Sequence, residues 1–168
     1  MMNFLRTNKY IAGLWVVIRL YLGFRWLTSG WGKIVGGEFD AGGYLQGAIG
    51  NPDVQGWWQA FLEAVAIPNA GLFSIVVMWG EVLVGLGLIL GVFTNLAALM
   101  GVVMNFSFLL SGTFSTNPQM AILGIFIAIA GANAGRYGLD RWVMPYLKET
   151  WNQRVRKGKG KQSETYVA

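Results

Sequence analysis

No cysteine and no histidine occur anywhere in the 168 residues. Their absence excludes disulfides, thiol redox chemistry, Cys-ligated iron–sulfur clusters, His-ligated haem and the usual zinc sites. It also excludes a Ser-His or Cys-His nucleophile pair. A redox role would therefore place the electrons on a bound organic molecule or on a partner, with no covalently bound cofactor and no metal. Charge is scarce too. Asp, Glu, Lys and Arg make up 12% of the chain, against about 25% in soluble domains. Hydrophobic residues fill the space at 54%, above the roughly 45–50% of soluble chains. Many of the 24 glycines lie inside apolar runs, a membrane-helix habit. These features predict one membrane domain of all-α class.

Four apolar segments stand out: Ile11 to about Trp31, Ala70 to Phe93, Leu96 to Leu110 and Met120 to Ala134. A membrane span needs about 20 residues, with about 17 at the low end, so the last two draw on Thr94-Asn95 and Asn117-Pro118 at their ends. Arg19 and Arg25 interrupt the first segment and no small-residue cleavage site follows, which argues against a signal peptide. Arg6 and Lys9 precede the first span, and eight of the 13 basic residues lie from Arg136 onward. The connection from Ile34 to Asn69 has no Lys or Arg and carries Glu38, Asp40, Asp53 and Glu63. The positive-inside rule then puts both termini in the cytoplasm. The net charge of +5 points to anionic lipid at the basic tail and not to nucleic acid, because the cations form no aromatic-interleaved face.

The Ile34–Asn69 connection is too long for a plain connector. Gly36 to Gly43 reads as flexible and acidic. Val54 to Pro68 reads as an amphipathic helix, capped by Asp53 and stopped by Pro68, with Trp57, Trp58, Phe61, Leu62 and Val65 on one face. It belongs at the headgroup level, as an anchor or as a lid. After the fourth span, Trp142, Val143, Tyr146, Leu147, Trp151 and Val155 recur at helical spacing, predicting an interfacial cytoplasmic helix. Lys157 to Ala168 reads as polar and disordered. The division is residues 1–145, a four-helix transmembrane domain, and 146–168, a basic tail.

One carboxylate, Glu81, falls in the middle of the second span. An ionised Glu there costs on the order of 2.5 kcal/mol or more without a partner, a proton or water. Counting ~1.5 Å per residue from the cytoplasmic ends puts Arg19 ~12 Å deep, Arg25 ~21 Å, and Glu81 and Asn105 both ~16 Å. Arg19, Glu81 and Asn105 thus share a layer, and an Arg19–Glu81 ion pair is expected, with Arg25 in reserve. Arg19, Trp26 and Lys33 are seven apart and form one stripe, a path from the outer surface toward Glu81. Such a pair serves equally as a structural lock or as a functional group; for Asn105, interhelical hydrogen bonding is the plainer role. Met100 and Met104 without Cys or His make a poor metal site.

Arg19-Leu20-Tyr21-Leu22-Gly23, Gly30, Gly32-Lys33, Gly80-Glu81 leading to Gly85-Leu86-Gly87-Leu88-Ile89-Leu90-Gly91, and Gly135 with Leu139-Asp140 together resemble the DoxX family of small bacterial and archaeal four-helix membrane proteins. The resemblance spans about Tyr10 to Trp142. It implies a link to membrane quinones or oxidative-stress complexes, and it carries weight onto Arg19, Lys33, Glu81 and, less, Asp140. Many relatives follow the second span with Gly-x-x-Thr-Arg, whereas Thr94 here is followed by Asn95. On this reading Arg19 and Glu81 are the catalytic candidates, and Lys33, Trp26, Arg25 and Asn105 bind substrate. The expected role is the quinone-linked membrane module of an oxidoreductase or detoxification system. A small-solute or proton-coupled transporter and a non-catalytic scaffold for a soluble redox enzyme are the alternatives.

Overall fold

The computed structural model describes residues 2–37 and 39–165, with side chains as far as residue 153. Glu38 and the basic side chains of Arg154, Arg156, Lys157, Lys159 and Lys161 fall outside the described residues. Those described are helical, with no strand among them: α1 Met2–Thr7, α2 Lys9–Gly36, α3 Ala41–Ile49, α4 Gly56–Phe61, α5 Ala70–Leu90, α6 Thr94–Leu110, α7 Asn117–Ala130 and α8 Asp140–Thr165. The four apolar segments become α2, α5, α6 and α7, which pack α2 on α5, α5 on α6, α6 on α7 and α7 on α2. Lys9–Gly36 and the run Gly56–Leu90 are long and apolar enough to cross a membrane; Thr94–Leu110 and Asn117–Asn133 are shorter apolar helices.

Polarity is arranged with apolar side chains outward. Leu14, Val17, Phe24, Ile75, Trp79, Leu83, Val103 and Ile122 are all exposed on the four apolar helices, while Arg19, Glu81, Thr94, Asn105 and Asn133 are buried. Water would not tolerate so much contiguous apolar surface on a monomer. A bilayer would, because lipid rewards the outward face and leaves polar groups to the interior.

Antiparallel α2 and α5 approach closely because glycines line the seam. A Cβ on Gly30 would lie 2.8 Å from the Met78 carbonyl and 2.9 Å from Glu81 Cβ, and one on Gly85 would lie 2.6 Å from the Leu27 amide nitrogen. Gly87 meets Ala97 and Gly124 meets Val102 in the same manner, small residues letting helix backbones approach closely.

Several expectations for the connections need correction. The Gly36–Gly43 stretch is not all flexible loop: Asp40 accepts hydrogen bonds from the Gly42 and Gly43 amides and starts α3 at Ala41. Pro68 does not stop the helix. Leu62–Ala66 widens into a π turn and Ile67–Asn69 tightens into a 3-10 turn, carrying α4 into α5. Proline lacks an amide hydrogen and crowds the carbonyl four residues back, so the chain adjusts locally around it. Gln55, not Asp53, precedes that helix, and it gives no side-chain cap. The expected shared face also splits: Trp57, Phe61 and Val65 are exposed, whereas Leu62 and Ala66 pack with Ala41, Leu45 and Ala48. At the other end α8 continues through Thr165, past the expected irregular start at Lys157. Lys, Arg, Gln and Glu favour helix and no proline follows Pro145.

Candidate functional site

The partner of Glu81 is Lys33. Its Nζ donates to Glu81 Oε1 at 2.7 Å and Oε2 at 2.6 Å, and to Ser29 Oγ at 3.0 Å. The Glu81 side chain is 1% exposed and that of Lys33 24%, so the pair closes off the carboxylate while its cation faces a cavity. Helix geometry produces this. Gly30 packs level with Glu81, and Lys33 lies three residues further along α2, ~4.5 Å by rise. Side chains tilt toward the N-terminus of their own helix. In antiparallel α2 and α5, Lys33 and Glu81 therefore lean toward one another.

The same geometry overturns the expected Arg19–Glu81 pair. Arg19 lies 11 residues before Gly30, ~16 Å away by rise, and its side chain leans further off. It reaches Gly91 and Gly138 and donates to the Ala134 carbonyl at 3.1 Å and the Tyr137 carbonyl at 3.5 Å. The two helix ends from which depth was counted are not level. α2 starts ten residues before Arg19, and Arg19 itself meets the Gly91 end of α5. Arg19 is thus a clamp on the turn that leads to α8, and its charge faces that of Asp140. Asp140 in turn accepts from the Phe93 amide at 2.7 Å and the Thr94 amide at 2.9 Å, capping α6.

The cavity beside Lys33 and Glu81 encloses about 340 Å³, at the small end of the usual range for ligand sites. Trp26, Phe39, Tyr44 and Phe108 supply aromatic walls, and Arg25, Thr113, Ser115, Thr116 and Asn117 supply polar groups. Phe39 stacks under the Lys33 ammonium, 5.3 Å from Nζ to ring centroid. Arg25 donates to Thr116 Oγ1 at 3.4 Å. The connection between α2 and α5 forms a cover joined to the α6–α7 turn by two bonds. Tyr44 Oη and Thr113 Oγ1 are 2.9 Å apart, and Trp58 Nε1 donates to Ser111 Oγ at 2.9 Å.

The structure therefore gathers Glu81, Lys33, Trp26 and Arg25 and leaves Arg19 elsewhere. Asn105 is 1% exposed and finds no hydrogen-bond partner for either amide atom, so it does not make the interhelical bond expected of it. Sequence reasoning missed Phe39, Tyr44 and the Thr113–Asn117 turn, because no spacing rule links residues of the connecting segments to a helix they reach only through folding. Ser29, four before Lys33 on one helical face, was the single readable signal. A second cavity of about 360 Å³ lies beside Leu90, Arg136, Tyr137, Gly138, Arg141 and Trp142, at the Arg19 end.

A family model, DoxX, matches residues 14–113, more than half of the chain, and that span contains Trp26, Lys33 and Glu81. Comparison with curated proteins and with solved structures gives no match. The matched span covers α2 to α6, and with the outward apolar faces it settles the class: the chain is a membrane protein belonging to the DoxX family.

Proposed function

We propose that this DoxX protein is a four-span protein of a bacterial or archaeal cytoplasmic membrane, with both termini inside. In this reading the cavity beside Lys33 and Glu81 binds a membrane quinone or similar small redox molecule. The protein would serve as the membrane module of an oxidoreductase or detoxification system.

The observation that carries this reading is the Lys33–Glu81 ion pair at the wall of an aromatic cavity. The residues suit a quinone. A flat ring fits between Trp26, Phe39, Tyr44 and Phe108, and its oxygens need donors of the kind that Arg25 and the Thr113–Thr116 turn provide. Glu81 can exchange a proton with the ring by way of Lys33, whose ammonium stands between the carboxylate and the cavity and holds its charge in an apolar helix. A quinone supplies two-electron, two-proton chemistry when bound, which a chain without cysteine or histidine cannot provide itself.

Purification in mild detergent, followed by solvent extraction and mass spectrometry, tests the proposal. The wild-type protein should carry a quinone at near-stoichiometric level, and Glu81→Gln should carry at least tenfold less at equal yield. Equal occupancy in the two, at the level of bulk lipid, would remove the site assignment. A co-purifying soluble enzyme with no quinone would instead favour the scaffold reading.

A further inference from the structure

The cavity's charges are unequally committed. An ammonium has three donors, and those of Lys33 are taken up by Glu81 Oε1, Glu81 Oε2 and Ser29 Oγ. Its charge is neutralised by the carboxylate it holds. Lys33, expected from sequence to bind substrate, thus has neither charge nor donor to spare. Arg25 is the opposite case. A guanidinium has five donors in a planar fork, and the bond to Thr116 Oγ1, at 3.4 Å, engages one of them weakly. The side chain is exposed and lines the cavity. Among the described residues, the cavity wall contains two cations, Arg25 and Lys33, and one carboxylate, Glu81. It is left with a single positive charge, located on Arg25.

That charge stands on an apolar helix eight residues before Lys33, ~12 Å deeper by rise. An intramembrane arginine is stable only when paired or wetted, and a planar guanidinium pairs best with a carboxylate-like or enolate oxygen, by two parallel charge-assisted bonds. We infer that the cavity selects a flat aromatic ligand bearing one ionised acidic oxygen, and that Arg25 is the residue that reads it. The inference rests on the quinone-type reading of the cavity and narrows it: the preferred ligand is a monoanion, and a neutral ring of the same shape is second best.

Two probes separate these ideas. 2-Hydroxy-1,4-naphthoquinone is ionised at neutral pH, whereas 2-methoxy-1,4-naphthoquinone has the same ring and oxygen position but cannot ionise. Binding is measured by calorimetry on the full chain in nanodiscs of zwitterionic lipid, so that membrane charge does not favour either probe. The hydroxy compound should bind wild type about tenfold tighter or more, the scale of a charge-assisted bond. Arg25→Gln should bring the two within about threefold by weakening the anion more than the neutral ring. Equal affinities in wild type overturn the inference and leave the quinone reading standing. A preference that survives Arg25→Gln overturns the role of Arg25. Failure of both probes to bind wild type removes the cavity reading as well. The wild-type comparison stands alone should Arg25→Gln fold poorly, and Arg25→Lys, which keeps the charge without the fork, should retain an intermediate preference.

Discussion

Lys33 and Glu81 depend on each other in a way that predicts unequal single and double variants. Lys33→Met leaves Glu81 buried with no cation, a change that costs about 3–5 kcal/mol when a buried pair is broken from one side. The Lys33→Met/Glu81→Gln double variant removes both charges and should recover most of that loss. Thermal unfolding in detergent checks the order: wild type and double variant close together, Lys33→Met well below. Sequence made part of this pair legible. Glu81 stood out because a lone carboxylate in an apolar run demands a partner, and Lys33 was named on the stripe that leads to it. The pairing itself was hidden. Depth counting compares helix ends that need not be level, and it ignores the tilt of side chains toward the N-terminus. That tilt carries Arg19 away from Glu81 and brings Lys33 to it.

At the scale of elements, the site exists because α2 and α5 can touch. Gly23, Gly30 and Gly85 leave no room for a methyl group: a Cβ on Gly23 would lie 2.7 Å from Ile89 Cγ1, and one on Gly85 2.6 Å from a backbone nitrogen. Gly85→Val must therefore move a helix, at a cost of about 1–3 kcal/mol from overpacking, and it should weaken quinone binding although it does not line the cavity. A melting curve paired with a binding titration reads both effects. Helix existence was legible for α2, α5, α6 and α7, since hydropathy alone marks such segments. The short elements were not. α3 depends on the Asp40 cap over a glycine-rich start and on packing of Ala41 and Leu45 against Leu62 and Ala66, a tertiary contact with no local signature. Pro68 is a related case: a proline signals a helix stop locally, yet a π turn and a 3-10 turn accommodate it.

For the molecule as a whole, the outward apolar belt and the buried polar interior fit a protein whose solvent is lipid. The absence of cysteine makes the proposed topology easy to read, because a single introduced thiol is unique. Asp53→Cys should react with a membrane-impermeant maleimide in intact cells, and Lys148→Cys only after lysis. The reverse pattern would invert the orientation and turn the cavity toward the cytoplasm. Whether the cavity is the quinone site is tested most directly by photolabelling the purified protein with an azido-quinone and mapping the adducts by peptide mass spectrometry. The account predicts adducts on peptides carrying Trp26, Tyr44 or Phe108, suppressed by excess unlabelled quinone. Adducts scattered along the exposed faces of the helices, or gathered around Tyr137 and Trp142 at the other end, would contradict it.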